Sequence, residues 1–294
     1  DIVKSLQEDT AFVWIDRMME PEKSKAVAKL IEDKNLEGLN FVEESKRYYP
    51  NGNLAAQVLG FVGTDDKGLE GLEMVLDDEL KGGIQKELVA TDRKGNAIFG
   101  SVLSKYLPDK GKSVTLTIDA SIQFIAERAL DKAMEDTGAK HASVIVMDPK
   151  TGEILAMANR PTYDPNHYSQ GSEEDFKNIA VTNLYEPGST FKPIIASAAL
   201  ASGKWKLDQV YNDKGSFVAN GHVMQNWNGE GYGPVRLIDI LKFSINTGMA
   251  EIGTTTGADI LSKYVRNYGF GSKTGIELPG EGDGILYNPD DMSK

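Results

Sequence analysis

The pattern of apolar and polar positions divides the chain into stretches of different period. Residues 1–40 read as helical: Pro21 and Glu22 open a segment running to Lys34 in which Ala26, Val27, Leu30 and Ile31 share one face. From Asn40 to Lys110, short apolar runs are broken by glycines, including Gly52, Gly60, Gly63, Gly68, Gly71, Gly82, Gly83, Gly95 and Gly100, which predicts short strands and turns. Val114 to Ile118 alternates as a strand. Asp119 then stands at the N-cap of a helix whose apolar side is Ile122, Ile125, Ala126, Ala129, Leu130 and Ala133. Ala142–Met147 and Ile154–Ala158 are apolar runs joined by Asp148-Pro149-Lys150-Thr151-Gly152-Glu153. They read as a hairpin with both faces covered. Pro161 to Asn178 is polar and loop-like, and Glu186-Pro187-Gly188 breaks the chain before a buried helix, Ser189 to Leu200.

The polar stretch Leu107–Lys112, with Pro108 and Gly111, is the expected domain boundary, leaving residues 1–110 as a smaller domain and 111–294 as a second. A length of 294 residues with 40% hydrophobic content suits that division. The net charge of −12 is spread evenly and argues against a nucleic-acid partner, which needs a basic face against phosphate repulsion. The absence of cysteine removes disulfides, thiolate metal sites and cysteine nucleophiles. His141, His167 and His222 are scattered, so neither a metal nor a cofactor is expected. No apolar run is long enough to cross a membrane. The chain opens on Asp and reads as a piece of a longer protein, with any membrane anchor expected upstream.

The candidate chemistry begins at Ser189 and Lys192. Their i,i+3 spacing sets both side chains on one helix face. Burial would favour a neutral amine able to take the serine proton, and a helix N-terminus would stabilise a developing oxyanion. The same pattern also fits an N-capping serine with a lysine whose stem lies along apolar surface. Ser244-Ile245-Asn246 is the one Ser-x-Asn in the chain and can project a hydroxyl and an amide into a cleft, or simply cap a helix.

In combination, E-P-G-S-T-F-K-P at 186–193 and S-I-N-T-G at 244–248 resemble the penicillin-binding proteins. E-S-K-R-Y-Y-P at 44–50, G-F-V-G at 60–63, G-L-E-G-L-E at 68–73, D-P-K-T-G-E-I-L-A-M-A at 148–158 and G-F-G-S-K-T-G-I-E-L-P-G-E at 269–281 are similar to the class B, monofunctional members. These serve division, elongation or sporulation. The resemblance implies an α+β fold, an antiparallel sheet flanked by helices, preceded by a smaller α+β pedestal of the dimerisation type. It implies a peptidoglycan D,D-transpeptidase in which Ser189 attacks the D-Ala-D-Ala carbonyl of a stem peptide and Lys192 is its base. Ser244 relays a proton and Asn246 orients Lys192 and the substrate amide. The implied partners are stem peptides, β-lactams that acylate Ser189, and other wall-synthesis or divisome proteins docking on the pedestal. The implied location is the extracytoplasmic face of the bacterial membrane. Lys-Thr-Gly, the third motif of the family, occurs at Lys150–Gly152 and Lys273–Gly275. The first is expected to be a hairpin turn and the second a loop, with the catalytic copy further downstream, so that this piece alone is expected to be impaired. A β-lactamase or penicillin-sensing relative is the competing enzyme reading, but the deacylating Glu-x-x-Leu-Asn of class A hydrolases is absent. A non-catalytic scaffold is the other alternative.

Overall fold

The computed structural model describes residues 13–41, 46–81, 89–91, 97–102, 111–219 and 221–289. Much of the expected boundary (107–110), residues 1–12 of the N-terminal helical stretch, Glu44 and Ser45 of the first family motif, and Gly82, Gly83 and Gly95 lie outside these. The chain forms two compact units. One comprises residues 1–181 with 277–279, and the other residues 182–276 with 280–294. Among the described residues, no helix is long and apolar enough to cross a membrane.

In the first unit, helix α1 (Pro21–Lys34) starts on proline, whose missing N–H costs nothing there, and ends at Asn35 in the left-handed region. None of its residues is fully buried, and Leu30 is half exposed. The next segment departs from the expected strands. Single helical turns stand at Ala56–Leu59, Gly71–Val75 and Asp77–Lys81, and the turns between 60 and 70 hold only an isolated bridge between Val62 and Gly68. Close approach explains the glycines: a Cβ on Gly60 would lie 1.7 Å from the Glu70 carbonyl oxygen, and its φ is +79°. Arg47 grips Glu73 through both carboxylate oxygens, at 2.6 and 3.1 Å, while the Tyr49 hydroxyl accepts from Val62 N. Two strands, β1 (Val89–Thr91) and β2 (Ala97–Val102), pair antiparallel.

Residues 114–118 do not enter a sheet ladder. Thr117 Oγ1 and Asp119 N instead donate to the carbonyls of Ile154 and Leu155. Asp119 caps α2 (Ala120–Thr137) by accepting from Ser121 N and Ile122 N, as expected. The buried face of α2 differs from the predicted one. It is Gln123, Ala126, Glu127 and Leu130, while Ile125 is exposed. Gln123 exchanges two hydrogen bonds with the Met157 backbone, and Glu127 accepts from Ala55 N and pairs with Arg160. These distant partners satisfy polar groups that would otherwise be costly to bury. β3 (Ala142–Met147) and β4 (Ile154–Arg160) form the expected antiparallel hairpin. Only β4 is covered throughout; β3 alternates and leaves Ile145 and Met147 about half exposed. The stretch after β4 contains helical turns at Pro165–Gln170 and Glu173–Phe176, and its Tyr163, Tyr168 and Phe176 pack on Phe61.

The second unit holds α3 (Lys192–Ala201), β5 (Val210–Asp213), β6 (Ser216–Ala219), β7 (His222–Gln225) and β8 (Gly233–Arg236). It continues with α4 (Leu237–Lys242), α5 (Asn246–Thr256) and α6 (Ala258–Asn267). β5 pairs with β8 and β6 with β7, both antiparallel. The core lies between α3, α4 and α5, where Ala196, Ala199, Trp205, Ile240, Ile245 and Ile252 are buried. Gly248 lets α5 close on α4, since a Cβ there would meet Ile240 at 2.8 Å. This packing sets the N-termini of α3 and α5 on one shared core.

Candidate active site

The predicted helix at Ser189 begins as a 3-10 turn, Gly188–Phe191, that runs directly into α3. In a 3-10 turn the side chains at i and i+3 eclipse, so Ser189 and Lys192 emerge on the same side. Gly188, at φ +57°, makes the entry, and Pro193 suits the first turn of α3. Ser189 is exposed, while Lys192 is buried at 9% exposure.

The Ser-x-Asn residues arrive from the α4–α5 connection. Ser244 has φ +53°, a left-handed conformation that costs a non-glycine residue about 1–2 kcal/mol. Ile245 is fully buried and anchors the turn, and Asn246 is the first residue of α5. Strain of this kind persists only where its surroundings over-determine it. Here the anchor is Ile245 N bonded to the Ile240 carbonyl.

All four predicted residues meet. Lys192 Nζ donates to Ser244 Oγ at 2.9 Å, to the Ser244 carbonyl at 2.7 Å and to Asn246 Oδ1 at 2.7 Å. Ser244 Oγ donates in turn to Ser189 Oγ at 3.0 Å. The link from lysine to nucleophile therefore runs through the Ser244 hydroxyl. All three lysine acceptors are neutral oxygens, and among the described residues Lys192 makes no ion pair. Burial lowers its pKa from the ordinary lysine range, because the ammonium loses hydration that no carboxylate replaces. Asn246 Nδ2 donates to the Gln225 carbonyl at 3.0 Å, which fixes the amide with Oδ1 toward the lysine.

Neither Lys-Thr-Gly copy stands on a strand. Lys150–Gly152 is the β3–β4 turn, closed by Gly152 N on the Asp148 carbonyl. In Lys273–Gly275, Thr274 donates through N and Oγ1 to Glu281, and these bonds hold that carboxyl below its usual range. Lys273 itself lies 3.9 Å from Asp283, an exposed pair. Sequence reasoning missed a second polar group behind the site: Asp213, Asn226 and Thr247, all buried and mutually hydrogen-bonded. Its one sequence signal is the position of Thr247 directly after Asn246. Among the described residues there is no cluster fit for a metal ion.

Residues 142–293 match the family described as the penicillin-binding protein transpeptidase domain, and residues 4–116 match the penicillin-binding protein dimerisation domain. The chain is 39% identical to stage V sporulation protein D of Bacillus subtilis, over 92% of this chain and 42% of that protein. It is 38% identical to the probable peptidoglycan D,D-transpeptidase PenA of Neisseria gonorrhoeae, over 96% of this chain and 48% of that one. The chain thus spans under half the length of these relatives. Among solved structures, penicillin-binding protein 3 of Mycobacterium tuberculosis complexed with ampicillin superposes with a TM-score of 0.72 at 34% identity, over 85% of this chain and 52% of that one. Both serines, the lysine and the asparagine fall inside the matched transpeptidase region, and the chain belongs to the penicillin-binding protein transpeptidase family.

Proposed function

We propose that this chain carries the acylating machinery of a class B peptidoglycan D,D-transpeptidase. The observation that carries the reading is the hydrogen-bonded series Lys192 Nζ, Ser244 Oγ, Ser189 Oγ. Hydroxyl protons rotate freely, so the same series transmits a proton in either direction. With Lys192 neutral, the Ser189 proton passes to Ser244, whose own proton passes to the amine. Ser189 Oγ then forms a bond to the carbonyl carbon between the two terminal D-alanines. Collapse of the tetrahedral intermediate breaks the C–N bond. The proton returns from Lys192 through Ser244 to the leaving nitrogen, and D-alanine departs. An amine from a neighbouring stem peptide attacks the acyl-Ser189 carbonyl carbon; the crosslinking amide forms as the ester C–O bond breaks, and the amine's proton returns through Lys192 and Ser244 to Ser189 Oγ. A β-lactam takes the same first step, but its leaving nitrogen stays tethered and the ester persists. Asn246 orients Lys192 and the substrate amide.

Residues 1–110 are read as a non-catalytic pedestal that docks other wall-synthesis or divisome proteins, and residues 111–294 as part of the transpeptidase domain. The site of action is the extracytoplasmic face of the bacterial membrane. Because the chain spans under half of its relatives, acylation is measured in a protein of the relatives' length that contains it. Labelling with a fluorescent penicillin followed by peptide mapping should find the adduct on Ser189 and lose it in Ser189→Ala. A label mapped elsewhere, or retained by that variant, overturns the assignment.

A further inference from the structure

Directly behind the Ser244–Asn246 turn lies a buried polar cluster that the proposed chemistry does not use. Asp213, at the end of β5, is 3% exposed; Asn226, just after β7, is 4% exposed; Thr247, second residue of α5, is fully buried. Asp213 Oδ1 accepts from Thr247 Oγ1 at 2.6 Å and from Gly215 N at 2.9 Å. Its Oδ2 accepts from Asn226 Nδ2 at 2.7 Å and Tyr232 N at 2.9 Å. Asn226 closes the ring: its Oδ1 accepts from Thr247 N at 3.2 Å, and its Nδ2 also reaches the Glu230 carbonyl at 2.9 Å.

Only a carboxylate fits the centre of this ring. It offers acceptor sites on two oxygens and no proton, and all four partners are donors. Burial alone would raise the Asp213 pKa, but the four hydrogen bonds outweigh it and hold the carboxyl below its usual range. An asparagine in its place would turn an NH2 either on Thr247 and Gly215 or on Asn226 and Tyr232.

The cluster and the active site are consecutive rungs of one ladder. Asn226 bonds Thr247; one residue earlier on each segment, the Gln225 carbonyl accepts from Asn246 Nδ2. That second rung leaves Asn246 Oδ1 on Lys192 Nζ. We propose that Asp213 is a positioning residue for acyl transfer, clamping Thr247 to Asn226 so that Asn246 stays bonded to Gln225 and keeps its oxygen on the lysine. The clamp itself is read from geometry, and only its consequence for acylation rests on the function proposed above.

The test has two arms. In the 15N-labelled 294-residue chain, the Asn246 side-chain amide pair is assigned by its loss in Asn246→Asp. Asp213→Asn and Thr247→Val should each shift that pair toward the position of a solvent-bonded amide. Thr247→Ser, which keeps the hydroxyl, should restore it. Val265→Ala, a buried truncation in α6, should lower the melting temperature without moving it. In the protein of the relatives' length, the benzylpenicillin acylation rate constant at saturation should fall at least about tenfold in Asp213→Asn and Thr247→Val. The non-covalent affinity should change less than about threefold, and Thr247→Ser should keep most of the rate. Should Asp213→Asn not fold, Thr247→Val decides alone. An unmoved amide pair in the folded variants overturns the proposal, as does a moved pair with an unchanged acylation rate. A wild-type protein that is never acylated on Ser189 overturns the proposed function, while the amide signal still judges the clamp.

Discussion

Ser244 is the place where strain, packing and chemistry can be separated by substitution. Its hydroxyl is the bridge between Lys192 and Ser189, and its backbone sits at φ +53°. Ser244→Ala removes two hydrogen bonds, each worth about 1 kcal/mol net, and keeps the strained conformation. Lys192 retains the Ser244 carbonyl and Asn246 Oδ1, so no buried amine is stranded. The expected destabilisation is therefore about 1–2 kcal/mol. Ser244→Gly removes the same hydroxyl but relieves a left-handed strain of about 1–2 kcal/mol, so glycine should melt at or above the alanine variant. Acylation should not follow that order. Loss of a positioned proton relay costs about 10²–10⁴-fold, or roughly 3–5 kcal/mol of barrier, in both variants. The assay is the second-order rate constant for labelling by a fluorescent penicillin, set beside thermal melts of the same preparations. A glycine variant that acylates within about threefold of wild type would refute the relay and leave Ser244 as a structural turn residue.

Three further outcomes are expected. Lys192→Arg should be as inactive in acylation as Lys192→Ala, since a guanidinium stays protonated and cannot accept the serine proton; a rate-competent arginine variant would send the search for the base elsewhere. Acylation should rise with pH through the folded pKa of Lys192, which burial sets below the ordinary lysine range. The folded chain sheds that proton at lower pH than the unfolded chain, so stability also rises with pH from the folded pKa up to the ordinary lysine value of the unfolded chain, and a pH–rate profile with an ordinary lysine midpoint would contradict both statements. Gly60→Ala should cost about 2–5 kcal/mol, from left-handed strain plus the clash of its Cβ with the Glu70 carbonyl, read as a lowered denaturation midpoint; a change under about 1 kcal/mol would mean that this contact opens freely.

Much of the fold was legible in the sequence, and the failures have a common cause. The Asp119 cap, the β3–β4 hairpin and the proline start of α1 are local devices, set by residues a few positions apart. The buried face of α2 was misread because Gln123 and Glu127 find their partners at Met157, Ala55 and Arg160, far along the chain. A pattern of apolar positions has no means of recording a polar residue made buriable by a distant backbone. The helical turns within 56–81 were missed for a related reason: Gly60, Gly68 and Gly71 mark backbone close to backbone, which serves helical turns as well as strand turns.

The site divides along the same line. Ser189 and Lys192 lie one turn apart, and Ser244 and Asn246 two residues apart, so each pair declares itself as a spacing. The join between the pairs is not a spacing. It depends on Ile245 being buried between α4 and α5, on a left-handed Ser244, and on Gln225 and Asn226 arriving from a hairpin about twenty residues earlier. Asp213-Lys214-Gly215 reads in isolation as a solvated turn, and nothing local distinguishes a carboxylate that closes such a turn from one that also holds an active-site helix. What distinguishes it is the number and neutrality of its donors in the folded chain: an ionised group buried among four neutral donors is costly to remove from water, and persists where its geometry fixes something that a neutral side chain would leave free to turn. In this unit the group so fixed is the segment that carries Asn246.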